Sequence, residues 1–300
     1  MKQKITPNLW FNHNAKEAVD FYVAAFPGSR ITKTEYYPKS AEEGLADFQS
    51  DLAGKELVLE FELGGQGFAA INAGPEFAFN QTISFIVNFD PSRDEQAQEH
   101  LDALWDKLVE GGEVLMPLDA YSFSKRYGWL KDRYGLTWQL ILTNPEGEPR
   151  PFITPSLMFT KENTNRAKEA IDFYTSVFSG SKIGMLAPYD ADTGPAKKGS
   201  LMYADFMLAG QWFAAMDSGI DINATFNEAV SFSVICKDQA EIDELWGKLS
   251  SVPAAEQCGW CKDKFGVSWQ IVPENMDELM KKPHAFTNMM QMKKIVIADF

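Results

Sequence analysis

The chain has 300 residues, a formal net charge of −14 and 45% apolar residues. This length suits two domains of ordinary size, and the negative charge would repel nucleic-acid phosphates and anionic lipid. No apolar run is long enough to span a membrane, the first residues lack the apolar core of a secretory signal, and three cysteines are too few for a disulfide framework. We therefore expect a cytoplasmic protein that binds neither nucleic acid nor membranes.

The predicted elements follow one order. A strand at 5–11 precedes a helix at 15–26, which Asn14 is expected to cap and whose apolar residues recur at helical spacing. Three strand-like runs follow, the last two joined by a glycine-rich hairpin turn; they span 29–37, 57–63 and 67–72. The remaining segments are a strand, a second helix and three short strands, predicted at 82–89, 94–110, 114–118, 127–131 and 137–142.

The sequence motifs of the first half then recur in the second half. Ile-Thr-Pro-Asn-Leu-Trp-Phe at 5–11 becomes Ile-Thr-Pro-Ser-Leu-Met-Phe at 153–159, and Ala-Lys-Glu-Ala-Val-Asp-Phe-Tyr at 15–22 recurs with one change at 167–174. Each copy ends in Trp-Gln, at 138–139 and at 269–270. The repeat predicts two domains, 1–142 and 153–300, separated by a proline-rich linker at 143–152, so any site should be sought twice.

The two copies differ at two places. Copy two lacks an equivalent of the Ser-rich loop at 116–124. It has instead a Met-rich helical tail at 275–292, a pliable packing element, and a predicted last strand at 294–298. In each copy the predicted element order β-α-β-β-β occurs twice. This order predicts an α+β fold and argues against a doubly wound nucleotide-binding fold.

Repeated βαβββ modules resemble the vicinal oxygen chelate superfamily, which includes glyoxalase I, bleomycin-resistance proteins and extradiol dioxygenases. The motifs are most similar to its PhnB-like family, labelled "3-demethylubiquinone-9 3-methyltransferase"; they lie at 5–11, 17–22, 61–68, 83–85, 257–270 and 291–295. The resemblance implies the glyoxalase/bleomycin resistance/dioxygenase fold, with four modules in two pseudo-twofold-related eight-strand units. It also implies a pair of single-domain relatives fused into one chain, acting as a monomeric pseudo-dimer or as a homodimer.

The resemblance also implies where a metal site would lie. Metal-using members take His or Gln from early strands and Glu from a late strand. Carried over by position, these slots fall in copy one near Pro7 or Asn8, Asn72, Thr82 and Gln139. In copy two they fall near Pro155 or Ser156, Asp217, Ala229 and Gln270. No slot holds His or Glu, and a neutral amide oxygen is a weak metal ligand. We therefore expect no tightly bound metal and no cofactor.

The same positions predict a cleft for a small molecule. The resemblance implies that Gln139 faces the cleft, and because successive side chains on a strand point to opposite faces, Trp138 is then expected to point the other way. Asn8 and Trp10 are expected nearby, with Tyr121 and Phe123 closing over them from the Ser-rich loop. Such a cleft suits a small, partly aromatic or apolar ligand.

Other functions stay open from sequence. One is a lyase, isomerase or dioxygenase with a non-standard metal site, and another is an interaction role without a ligand. A methyltransferase is disfavoured, because the glycine cluster at 64–67 joins strand to strand rather than strand to helix. The pair Cys258 and Cys261 precedes a strand rather than a helix and is read as structural. The recurring Asp132 and Asp263 are assigned to the needs of the fold.

Overall fold

A computed structural model describes residues 3–45 and 47–300. In copy one the strands are β1 (Ile5–Asn12), β2 (Arg30–Tyr36), β3 (Glu56–Leu63), β4 (Gln66–Ala73), β5 (Ile83–Phe89), β6 (Glu113–Tyr121), β7 (Ser124–Lys131) and β8 (Thr137–Leu142). In copy two they are β9 (Ile153–Phe159), β10 (Lys182–Pro188), β11 (Leu201–Leu208), β12 (Gln211–Asp217), β13 (Val230–Cys236), β14 (Trp260–Lys262) and β15 (Ser268–Pro273). The helices are α1 (Ala15–Ala25), α2 (Ala97–Val109), α3 (Ala167–Val177), α4 (Gln239–Leu249), α5 (Met276–Leu279) and α6 (Ala285–Gln291).

The strands form two mixed sheets, which confirms the α+β fold of repeated βαβββ modules. The seven-stranded sheet has the order β14-β15-β13-β1-β4-β3-β2, and the eight-stranded sheet has the order β10-β11-β12-β9-β5-β8-β7-β6. The antiparallel pairs β1–β13 and β5–β9 join strands of different copies. Each sheet thus combines the first module of one copy with the second module of the other, which corrects the expectation that each copy forms a unit of its own.

One sheet has seven strands because copy two is shorter. The chain passes from α4 through a short 3-10 turn, Pro253–Ala255, into the three-residue strand β14. No strand of copy two corresponds to β6 in the order of the two sheets that the structure describes.

The two sheets face each other across one core. Phe68 on β4 lies 5.1 Å from Phe85 on β5, and Phe213 on β12 lies 5.6 Å from Phe232 on β13, between ring centroids. We call these facing sides the inner faces and the opposite sides the outer faces. Helix α1 buries its side chains at helical spacing against the inner face, as its sequence predicts.

The caps of α1 and α3 come from strands. Asn14 makes no capping hydrogen bond, contrary to the prediction. Asn72 on β4 accepts instead from the N–H of Ala15, at 3.2 Å, and Asp217 on β12 accepts from the N–H of Ala167, at 3.1 Å. These contacts satisfy donors that the first turn of a helix leaves free.

The C-terminal tail bridges the two edge strands of the seven-stranded sheet. Asp277 on α5 pairs with Lys33 on β2 at 2.6 Å, and Gln257, just before β14, donates to the carbonyl of Met290 on α6 at 2.6 Å. The predicted last strand at 294–298 is instead irregular and ends in a 3-10 turn, Ile297–Asp299. None of the helices in the described residues is long and apolar enough to cross a membrane.

Candidate functional site

The sequence-predicted site residues fall into three groups. Asn8, Trp10 and Gln270 lie on the outer face of the seven-stranded sheet, as the pairings of β1, β13 and β15 show. The second group belongs to the eight-stranded sheet and its β6–β7 hairpin and consists of Tyr121, Phe123, Gln139 and Ser156. The third group, Asn72 and Asp217, points to the inner faces. Asn8 is therefore not a neighbour of Gln139, which corrects the cleft expected from sequence.

Gln139 is held in place by two hydrogen bonds on the outer face of the eight-stranded sheet. Its Oε1 accepts from the hydroxyl of Tyr127 at 2.8 Å, and its Nε2 donates to Ser84 Oγ at 2.8 Å. Burial raises the pKa of Tyr127 well above its usual value, so the hydroxyl keeps the proton that it donates. The amide group is thus oriented and only 3% exposed.

Two buried polar atoms near Gln139 have no partner within the described part of the chain. They are Ser156 Oγ on β9 and Trp129 Nε1 on β7. Trp129 pairs directly with Gln139 across β7 and β8, and Ser156 pairs with Ser84 across β9 and β5. A buried donor without an acceptor is rare in a folded protein and points to a water or a ligand as the missing partner.

An aromatic cluster borders this polar patch. The rings of Tyr121 and Phe123 are stacked at 5.6 Å, and Phe123 meets Tyr127 edge to face at 5.0 Å. Phe123 is 58% exposed. The segment predicted as a Ser-rich loop is in fact the strand β6 and its hairpin to β7, so the aromatic rings are carried by regular structure.

The outer face of the seven-stranded sheet has a related but different arrangement. Gln270 Nε2 donates to Ser231 Oγ at 3.0 Å, as Gln139 does to Ser84. Cys258 occupies the sequence position of Tyr127, and Gln270 Oε1 has no donor among the residues described. Trp10 and Trp260 lie at 6.3 Å, edge to face, beside this amide.

Asn72 and Asp217 do not belong to either outer face. Besides capping a helix, Asn72 donates to the carbonyl of Glu56, and Asp217 accepts from the N–H of Leu201 at 2.9 Å. Burial raises the pKa of Asp217, and these backbone donors oppose the shift. Both residues hold the inner core together, and the expectation that they contact a ligand is corrected.

The donor sets on the outer faces do not fit a tightly held metal. In residues 3–45 and 47–300, no three His, Cys, Asp or Glu side chains converge on one point. The groups present are mainly neutral amides and hydroxyls, which compete poorly for divalent ions. The thiol of Cys261 is buried, which raises its pKa to about 12, so Cys258 and Cys261 lack the acidic thiol of a redox pair.

The sequence did not identify Ser84, Tyr127 and Trp129 as members of this patch, or Ser231 as its counterpart on the other outer face. Ser84 and Ser231 recur in equivalent motifs, Ile-Ser-Phe and Val-Ser-Phe, and this recurrence was an available signal. Tyr127 has no counterpart in copy two, so the repeat conceals it. On β7, Tyr127 and Trp129 point to one side and Gly128 to the other, and the pairing of β7 with β8 places both aromatic side chains on the face of Gln139.

Comparison with known proteins agrees with this architecture. The family model described as "3-demethylubiquinone-9 3-methyltransferase" matches residues 3–141 and 151–272. The chain belongs to this family. It carries two domains of this family in tandem.

Several solved structures are similar to the chain. A PhnB protein from Bacillus cereus is 35% identical, covers 47% of this chain over 100% of its own length, and has a TM-score of 0.40. A protein from Pseudomonas aeruginosa is 23% identical over 45% of this chain and 94% of its own, with a TM-score of 0.37. Glyoxalase I from Zea mays is 12% identical over 92% of this chain and 95% of its own, with a TM-score of 0.52, which shows a shared fold. None of the curated proteins compared matches the chain.

Proposed function

We propose that the chain binds a small, partly aromatic molecule on the outer face of the eight-stranded sheet, without a tightly bound metal. The observation that carries the proposal is the pair of partnerless buried atoms, Ser156 Oγ and Trp129 Nε1, near the fixed amide of Gln139. A bound molecule that supplied both partners would recover the free energy that each atom loses by burial, about 1–3 kcal/mol per group.

The patch defines the chemistry of the ligand. The indole N–H of Trp129 only donates, so it requires an acceptor such as a carbonyl, ether or hydroxyl oxygen. The Ser156 hydroxyl can donate or accept. The stacked rings of Tyr121 and Phe123 offer an aromatic or apolar group a wall to pack against.

A methyltransferase role receives no support from the fold. Gly64 and Gly65 lie in the tight hairpin between β3 and β4, with positive φ at both, and no helix follows them. The N–H groups that a methyl-donor cofactor would need at a helix N-terminus are therefore not provided by this glycine cluster. We also propose that the chain is cytoplasmic and acts as a monomer in which the two copies form a fused pseudo-dimer.

The test is a melting screen with a small-molecule library, followed by calorimetric titration of the strongest stabiliser. A molecule that binds the native state raises the melting temperature. Ser156→Ala and Gln139→Ala should weaken binding of that molecule about five- to thirty-fold with little loss of fold, since each removes one hydrogen-bonding group worth about 1–2 kcal/mol. Gln270→Ala, the equivalent change on the other sheet, is the matched control and should leave binding unchanged.

Two outcomes would contradict the proposal. One is equal loss of binding in Gln139→Ala and Gln270→Ala. The other is stoichiometric zinc, nickel, iron or manganese that survives dialysis against a chelator, measured by elemental analysis. That second result would favour a lyase, isomerase or dioxygenase with a non-standard site.

A further inference from the structure

A cavity of about 460 Å³ lies away from both outer faces. It is a half-open cavity lined by the end of α1, the end of β5, one side of α2 and the linker before β9. Its floor is apolar and includes Phe26, Phe89 and Phe152. This volume falls within the range of small-molecule sites.

The charged side chains around the cavity are mostly engaged. Three basic groups have carboxylate partners: Arg93 with Asp90 at 3.6 Å, His100 with Asp94 at 2.6 Å, and Arg150 with Asp205 at 2.9 Å. Lys107 on α2 also lines the cavity, and no residue in the described ranges pairs with it. Its ammonium group is the available charge beside an apolar floor.

Copy two shows how the same lysine is neutralised. There Lys248, the equivalent of Lys107, pairs with Glu244 one turn earlier on α4, at 2.6 Å. In copy one the position of Glu244 is Ala103, which also lines the cavity. The replacement both frees the lysine and leaves space next to it.

The apolar floor is likewise particular to copy one. At the position of Phe152 copy two has Lys4, and at the position of His100 it has Glu241. These two residues form an ion pair at 2.6 Å. In copy two this ion pair stands at the position where Phe152 lines the cavity of copy one.

We propose that this cavity is a second binding site, for a small carboxylate with an apolar body. The apolar body would pack on Phe26, Phe89 and Phe152, and the carboxylate would pair with Lys107. A cation is the wrong ligand, because the acidic groups of the cavity, Asp90 and Asp94, already have partners. This site is separate from the patch around Gln139 and goes beyond the function proposed above.

The probe is octanoate, with 1-octanol as its neutral counterpart, each titrated into the full chain by calorimetry. Wild type should bind octanoate saturably and more tightly than 1-octanol. Lys107→Met keeps the apolar stem and removes the charge, and Ala103→Glu supplies the partner that copy two has. Each should weaken octanoate binding about three- to five-fold, as expected for a partly exposed ion pair, and Lys107→Met should leave 1-octanol binding unchanged.

Lys248→Met is the matched control and should bind octanoate as wild type does. Gln139→Ala should also leave octanoate binding unchanged, which keeps this test independent of the proposed function. The inference is overturned if wild type shows no saturable binding, if Lys107→Met and Ala103→Glu both bind octanoate as tightly as wild type, or if Lys248→Met weakens it equally. Both changes lie on the exposed side of α2, so the variants should fold, and a far-UV spectrum verifies this.

Discussion

Asp132 provides the sharpest prediction, because one buried carboxylate fixes a turn, a helix and a strand. It is 2% exposed and accepts four hydrogen bonds. The donors are the Tyr22 hydroxyl of α1 at 2.8 Å, Trp138 Nε1 of β8 at 2.8 Å, and the backbone N–H groups of Tyr134 at 2.8 Å and Leu136 at 3.1 Å. Burial raises the pKa of this carboxyl, and the four donors oppose the shift.

Asp132→Ala should destabilise the fold by about 3–5 kcal/mol, because it leaves several buried donors without an acceptor at about 1–3 kcal/mol each. Tyr22→Phe removes one of the four bonds and should cost about 1–2 kcal/mol. In the Asp132→Ala background the same change should cost almost nothing, since the hydroxyl has already lost its acceptor. The two changes are therefore coupled by about 1–2 kcal/mol.

Urea unfolding followed by circular dichroism measures all four free energies of unfolding. The control is Asp172→Ala: Asp172 also recurs between the copies but forms only an exposed pair with Lys168, so its loss should lie within about 0.5 kcal/mol. The reasoning fails if Asp132→Ala costs less than about 1 kcal/mol, or if Tyr22→Phe costs the same in both backgrounds. Asp263 has the same four kinds of donor and should repeat the result.

Three further predictions follow from the structure. The hydrogen bond from Arg166 is the main reason that the pKa of Glu169 is lowered to about 2, so this carboxyl should titrate near pH 2 by NMR and at a higher pH in Arg166→Met. The stability that the charged carboxylate contributes is present above about pH 4.5 and is lost as the pH falls towards 2. Asn8→His with Gln270→Glu should create divalent-metal binding detectable by calorimetry, because both lie on the outer face of one sheet; no heat of binding would contradict that placement. Cleavage at a protease site inserted in 143–152 should leave fragments that co-elute, because each sheet contains strands of both copies, and fragments that separate would contradict the strand order.

The local elements were predictable because their signals are local. Apolar residues at helical spacing indicate α1, and the glycine turn at 64–65 indicates the β3–β4 hairpin. The alternation of Trp138 and Gln139 predicted correctly that they lie on opposite faces: Trp138 is fully buried among inner-face rings, and Gln139 points away from them.

The exchange of modules between copies was not predictable from the repeat. The edge of β1 could pair with β5 or with β13, because both strands carry the same motif, Ile-Ser-Phe and Val-Ser-Phe, and only the whole packing decides between them. The orientation of Asn72 and Asp217 failed for a related reason. Both end strands that are buried on their two sides, so the sequence shows no clean alternation that would assign a face.

The two outer faces have diverged, and the fusion of the copies explains how this is possible. In a symmetric dimer every substitution appears in both sites. In the fused chain, the eight-stranded sheet has β6, its aromatic pair and a tyrosine that fixes Gln139. The seven-stranded sheet lacks that strand and is bridged from edge to edge by the Met-rich tail. Cys258 replaces the tyrosine there, so Gln270 lacks the donor that orients Gln139. One face can then specialise in binding a ligand while the other becomes a packing surface for the tail, because a change in either copy is no longer copied into its partner.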